Sequence, residues 1–250
     1  MRELSGLRSL LGASTTLWAG LDGVKVGPTR WTAMSGARSV DYNVALCHGA
    51  GAGEDLHRTL EEVAAGGVPA IVMVAGPALG EVQRLVRAGW HCLGAVPFMA
   101  LDLDRARLPE DPAARRLTEA EVPAARCLVR EVFDVPAEMA DVALRDSSLR
   151  APGHQVWGLF EQDELVSVAG IVRVQDVVVS WSVATPARFR RRGRARRLLA
   201  AALAEAAAGG ATTSLLYASD AGEPLYRALG FVELERWQAW SRPRWVLGRV

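Results

Sequence analysis

The stretch from Val177 to Gly210 restricts the fold of this chain more than any other. It opens with VVVSWSVA, a β-branched run suited to a buried strand, and Pro186 ends that strand because its ring nitrogen cannot donate to a ladder. A short loop follows with Arg188, Arg190, Arg191 and Arg192, broken at Gly193. Arg194 to Ala208 (RARRLLAAALAEAAA) is then rich in helix formers and stops at Gly209-Gly210, a C-terminal signal. Strand, basic loop and helix start in this order leave first-turn N–H groups unpartnered at the positive end of the helix dipole. A diphosphate is the natural guest of such a terminus. Gly193 and the small Ala195 let backbone approach phosphate oxygens, and the arginines add charge-assisted hydrogen bonds. The spacing is neither GxxxxGK[ST] nor GxGxxG, so nucleotide-hydrolase and Rossmann readings fail. A solvated arginine face is the plain alternative, but it gives no reason for a glycine inside the run directly after a strand.

Around this segment the chain reads as mixed α and β. The segment 103–118 carries Pro109, Pro112 and many charges, the composition of a linker, and a seam near residue 113 divides the chain into 1–112 and 113–250. Thr118-Glu119-Ala120-Glu121 forms a capping box that starts a helix over 120–132, with a second helix over 137–144. Strands are expected over 154–160, 164–174, 177–184, 212–218 and 231–240, with a turn at Gln162-Asp163 and a short helix over 223–229. The N-terminal part echoes this order. Leu60 to Gly67 (LEEVAAGG) aligns with Leu203 to Gly210 (LAEAAAGG), and both are followed by an apolar strand, a short helix and a glycine-aromatic step, Gly89-Trp90 and Gly230-Phe231. Repetition at this length points to a duplicated domain or half-domain rather than a solenoid.

Composition removes several function classes. The 250 residues are half apolar, which excludes wholesale disorder, and 29 basic against 28 acidic residues leave a formal charge of +1. Binding to nucleic acid or to an anionic membrane would call for a larger basic excess. Lys25 is the only lysine, so Schiff-base chemistry has little to draw on. Cys47, Cys92 and Cys127 lie far apart, and His48, His57, His91 and His154 form no metal-ligand spacing, so neither a metal nor a disulfide framework is expected. No apolar run reaches membrane-span length, and Glu3 spoils a signal-peptide start. A reduced, cytoplasmic protein is the expectation.

Arg190 to Ala195 fits the [Q/R]-x-x-G-x-[G/A] signature of the GNAT superfamily of acyl-CoA-dependent N-acyltransferases. The likeness extends further. The strand before it resembles the family's fourth strand, Ala184-Thr185-Pro186 resembles its approach to the loop, and Leu225-Tyr226-Arg227-Ala228-Leu229-Gly230-Phe231 is similar to its LYRxLGF ending. The N-terminal part resembles, more loosely, the degenerate first half of tandem members.

That resemblance implies an α/β (α+β) fold with a mixed, mostly antiparallel sheet flanked by helices. It implies acetyl-CoA as acyl donor, lying where the fourth and fifth strands splay apart. Pantetheine would pair with backbone at Val183, Ala184 and Thr185, and the diphosphate would sit on the amides of Arg191, Arg192, Gly193, Arg194, Ala195 and Arg196, beside Arg190. Ser219 stands where the family often has asparagine. A primary amine, on a small molecule or a peptide, would attack the thioester directly. An amide near Val183 would polarise its carbonyl, and Tyr226 would give a proton to the leaving thiolate. No metal, nucleic acid or membrane enters, and a homodimer is left open.

The general base is not assigned. An amine of pKa about 10.4 is mostly protonated at pH 7, a cost of roughly 4 to 5 kcal/mol. The candidate strand holds no carboxylate; Asp176 sits at its start, and Glu161 and Glu164 lie on neighbouring turns. Without a base, a non-catalytic acyl-CoA sensor or interaction module is the competing reading; an arginine-mediated nucleic-acid binder is a third. Tyr226 is read as equally suited to packing, Trp181, Trp237 and Trp240 as core or sheet-face residues rather than an amine pocket, and His154 as polar surface. In the first half, His48-Gly49-Ala50-Gly51-Ala52-Gly53 aligns with the basic loop but lacks arginine and runs into Glu54 and Asp55, so a structural role is expected there.

Overall fold

The computed structural model describes residues 3–49 and 52–246. Its helices are α1 (Leu4–Ser14), α2 (Thr16–Ala19), α3 (Ala52–Gly66), α4 (Val82–Arg87), α5 (Val122–Phe133), α6 (Ala137–Ala143), α7 (Asp146–Leu149), α8 (Arg194–Ala208), α9 (Glu223–Leu229) and α10 (Pro243–Val246). Its strands are β1 (Val24–Val26), β2 (Arg30–Met34), β3 (Asn43–Cys47), β4 (Ile71–Val74), β5 (His91–Asp102), β6 (Ala114–Arg116), β7 (His154–Glu161), β8 (Glu164–Val174), β9 (Val177–Ala184), β10 (Thr213–Tyr217) and β11 (Val232–Ser241).

Two compact units result, residues 1–98 with 234–250 and residues 99–233. By compactness this division falls inside β5, between Phe98 and Met99, and inside β11. The charged segment 103–118 is also more than a tether. Asp111 pairs with Arg197 of α8 at 2.6 Å and accepts from the Ala113 amide, and Ala114–Arg116 adds β6 as an antiparallel strand on β7.

In the second unit the strand order is β5-β10-β9-β8-β7-β6. Strands β6 to β9 pair antiparallel, and β9–β10 is parallel. The β7–β8 hairpin turns at Gln162 (φ 51°) and Asp163 (φ 62°), two left-handed residues whose twist matches that of the strands. Thr118 and Glu121 form the reciprocal cap that precedes α5. Helix α8 lays Leu198, Leu199, Ala202 and Leu203 on Trp157, Leu159, Ala169, Ile171 and Val178 of the sheet. Each such leucine, fully withdrawn from water, stabilises the unit by about 1.5–3 kcal/mol.

The first unit has the order β1-β2-β3-β4-β11-β5, with β3 and β4 parallel and α3 between them in the chain. Strand β3, helix α3 and strand β4 thus repeat the β9–α8–β10 order. Leu56, Val63, Val72, Val74, Leu85, Trp90 and Trp240 belong to its core. The Cys47 thiol is pushed up to about 11 by burial, against the opposing hydrogen bond with Thr59, so it is no nucleophile at neutral pH.

A buried polar knot also lies in this unit. Arg8 grips Glu235 with two nitrogens (3.0 and 2.6 Å), its Nη1 stands 3.4 Å from His48 Nδ1, and Trp237 Nε1 donates to Glu235. Burial, then the Arg8 charge, push the His48 imidazole down to about 4, while Glu235 and Asp55 oppose them weakly. The unfolded chain binds a proton here near pH 6.5 and the folded chain only near 4. This contribution is complete above pH 6.5 and is lost as pH falls toward 4. It amounts to about 3 kcal/mol. Urea unfolding of His48→Gln should therefore show a flatter stability profile than the parent between pH 7 and pH 4; parallel profiles would refute this account.

Candidate acyl-donor site

The chemistry-bearing loop lies in the second unit, at the C-terminal end of β9. Register between β9 and β10 runs from Val177↔Thr213 to Val179↔Leu215, and among the described residues no pairing continues beyond it. Strand β9 nevertheless extends five residues further, to Ala184. A bulge accompanies the parting. Gly170 of β8 faces Trp181 and Val168 faces Ala184, so Ser182 and Val183 together oppose Ala169, with Ser182 at φ 51°. Such an extra residue lies outside the ladder and bends its strand. Val183, one of the two bulged residues, thus lies where backbone can serve something other than β8.

Ser167 fastens the end of the strand. Fully buried on β8, its hydroxyl donates to the Ala184 carbonyl at 3.3 Å and meets the Thr185 hydroxyl at 2.7 Å. Arg190 Nε in turn donates to the Thr185 carbonyl at 2.8 Å. Sequence reading did not single out Ser167; only the pairing of β8 with β9 brings it to the loop.

The loop closes on α8 through Arg191 (φ 63°) and Gly193 (φ 74°), both left-handed. Gly193 is the N-cap residue, no side chain caps the helix, and its first turn holds no acid. A Cβ built at Gly193 would meet nothing within 4 Å. The terminus is therefore open, uncapped and without an acid in its own first turn.

The seven arginines separate into three kinds. Arg188 pairs with Glu131 and Glu164, Arg194 with Glu161, and Arg197 with Asp111 and Glu161, so these brace the loop and helix. Arg194 also donates to the Phe189 carbonyl and sits 5.0 Å from that ring's centroid. Its guanidinium is committed to the protein. Arg190 holds Thr185. Arg191, Arg192 and Arg196 are exposed and make no ion pair among the described residues. Replacing Arg194 by Gln should lower Tm by about 3 °C or more, whereas Arg192→Gln should leave Tm in place. Differential scanning fluorimetry checks both, and equal shifts would remove this division.

Ser219 precedes α9 and Tyr226 lies within it. The Ser219 carbonyl accepts from the amides of Gly222 and Glu223, and its hydroxyl accepts from Gly222 at 3.3 Å, so Ser219 shapes the turn into the helix. Tyr226 is half-buried, and its ring lies edge-on to Phe231 with centroids 5.7 Å apart. A Cβ at Gly222 would come within 3.0 Å of that ring and 3.3 Å of the Ser219 hydroxyl. Gly222, which sequence reading did not single out, is thus the seat of the tyrosine. Loss of solvation pushes the phenol up to about 12.

None of the three carboxylates weighed as a base is poised for the task. Glu161 is held by Arg194 and Arg197, Arg188 approaches Glu164 at 3.8 Å, and Asp176 stands at the far end of β9, bonded to Thr212. Trp237 and Trp240 are buried in the core, and Trp181 is a half-buried sheet residue that meets Tyr217. His154 departs from the surface reading: burial lowers its pKa, and with Leu117, Val122, Leu149 and Val156 it lines a cavity of about 320 Å³. No group of three or more His, Cys, Asp or Glu side chains among the described residues could hold a metal ion. None of the described helices is long and apolar enough to cross a membrane.

Among its described residues the first unit lacks this parting of strands. Strand β3 stays paired with β4 through Cys47↔Val74, and the Ala75 amide extends the contact to the Cys47 carbonyl. A Cβ at Gly49 would strike Thr29 at 2.2 Å, and Asp55 and Glu54 occupy the first turn of α3. Ala50 and Gly51, also part of the glycine-rich turn, lie outside the described residues. Closed strands, a filled turn and acidic charge oppose an anion there.

Comparison with known proteins agrees with this geometry. A family profile described as "Acetyltransferase (GNAT) domain" matches residues 113–233. Among solved structures, a GCN5-related N-acetyltransferase from Kribbella flavida aligns over 93% of this chain and 96% of its own, at 20% identity and a TM-score of 0.66. Another, from Sphaerobacter thermophilus, covers 96% and 93% at 13% identity and a TM-score of 0.61. No curated protein matches the sequence. At these identities the structural likeness speaks for the fold; the profile match adds the sequence. Residues 113–233 of this chain belong to the GNAT superfamily of acetyltransferases.

Proposed function

We propose that this domain transfers an acetyl group from acetyl-CoA to a primary amine by direct attack. The observation that carries the reading is the parting of β9 from β10 beside an open, uncapped α8 terminus with three uncommitted arginines. The thioester supplies the activated acyl group. Val183 to Thr185 would align the pantetheine arm along the free edge of β9. The amides of Arg191 to Arg196 would take the diphosphate, with the guanidinium groups of Arg191, Arg192 and Arg196 beside them. The bulge at Ser182-Val183 turns an amide out of the ladder, where it can donate to a carbonyl oxygen that gains charge during attack. Tyr226 stays protonated at neutral pH and can hydrogen-bond to the departing sulfur.

The test is acetyl-CoA turnover against a panel of amines, followed by thiol release. Acceptor-dependent release establishes the transferase. A second reading, an acyl-CoA sensor, is favoured by one specific observation: Glu161, Glu164 and Asp176 are all engaged elsewhere. Tight acetyl-CoA binding without turnover on any amine would select it. Absence of binding would remove both. For the first unit we propose a supporting role without a cofactor, derived from a duplicated half of the same architecture.

A further inference from the structure

We propose that Trp181 and Tyr217 jointly limit the length of the acyl chain this domain accepts. The inference rests on the acyl-CoA reading above and assigns a specificity element within that site. Val178 and Leu216 point into the core beneath α8. By strand alternation, Val179 and Trp181 on β9 and Leu215 and Tyr217 on β10 share the opposite face. Val179↔Leu215 is the last register pair, so Trp181 and Tyr217 occupy the next same-face position on each strand. There the strands no longer pair, yet the two rings still meet, edge to face, with centroids 5.5 Å apart at 72°. They bridge the vertex of the gap.

The surroundings reinforce this placement. Gly170, opposite Trp181 on β8, contributes no side chain, and the bulge begins at the very next residue, Ser182. A ligand anchored by its diphosphate at Gly193 and running along β9 toward Val179 carries its acyl end to this vertex. A two-carbon group ends before the rings. A longer straight chain has to push apart an indole and a phenol that hold each other. One extra methylene against a filled apolar wall changes selectivity by about 10- to 200-fold.

Calorimetric titrations of acetyl-CoA, butanoyl-CoA and octanoyl-CoA into the full chain test the assignment, using the ratio of dissociation constants as readout. The parent should bind octanoyl-CoA at least about tenfold more weakly than acetyl-CoA. Trp181→Leu and Tyr217→Leu should each shift that ratio toward octanoyl-CoA by about tenfold or more, and Trp181→Phe should shift it much less. Two independent leucine variants guard against misfolding of one, with a cooperative thermal transition as the check. An unchanged ratio in a folded leucine variant, or a parent indifferent to chain length, overturns the assignment while leaving acetyl-CoA binding intact. If the parent binds none of the three thioesters, the underlying acyl-CoA reading fails and takes this assignment with it.

Discussion

Exchanging Gly193 for aspartate is expected to weaken acetyl-CoA binding by about 100-fold or more, with little change in Tm. A carboxylate at this N-cap would stand where the diphosphate is to sit, and two like charges about 4 Å apart near a protein surface cost on the order of 4 kcal/mol. The fold should tolerate the change. Gly193 has φ 74°, a region that aspartate and asparagine visit more readily than other side chains, and no atom lies within 4 Å of the new Cβ. Gly193→Asn separates charge from shape, since it fills the same space without the carboxylate. Calorimetric titration should find the asparagine variant within about tenfold of the parent. Equal losses in both variants would mean that bulk or strain, not charge, governs the loop; no loss in either would remove the loop from the binding site.

Replacing Tyr226 by phenylalanine should lower kcat about 100-fold while KM for acetyl-CoA changes little, the signature of an interaction made mainly in the transition state. The substitution keeps the ring on Gly222 and against Phe231, so it isolates the hydroxyl from the packing. With its pKa pushed up to about 12, the phenol is a poor outright donor to a thiolate of pKa near 8.5. Full transfer would run uphill by about 5 kcal/mol. On the proposed reading its contribution would be a hydrogen bond to the leaving sulfur, with solvent completing the protonation. The pH–rate profile should show no alkaline limb from Tyr226 below about pH 10, because the group is raised and stays protonated there. Steady-state kinetics from pH 6 to pH 10 check both statements. A phenylalanine variant within twofold of the parent would return Tyr226 to a purely packing role.

Much of the second unit was legible in local chemistry. The β-branched run at Val177–Ala184, the alanine-rich helix ending at Gly209, the Thr118 capping box and the turn at Gln162-Asp163 are each set by residues close in sequence. So was the candidate loop, because a strand end, a glycine and a helix start adjoin along the chain. The fates of the seven arginines were not legible. Seven identical side chains in ten residues carry the same local signal, and only tertiary packing delivers Glu131, Glu161, Glu164 and Asp111 to three of them. The partners of segment 103–118 were hidden for a similar reason: proline and charge describe exposure, whereas Asp111 and β6 are held by partners that fold onto them.

Sequence alone thus determined which segments become strands and helices, and that one basic helix start would face the C-terminal end of a strand. Tertiary structure decided what that helix start can do. The gap opens because β10 stops pairing after Leu215 and a bulge bends β9, and register is a property of two strands together. The same decision closed the first unit, where β3 and β4 pair to their ends and Thr29 fills the turn at Gly49. Similar sequence order therefore gave one strand pair that parts before its end and one that stays paired to its end, because cross-strand pairing is fixed by residues far apart in the chain.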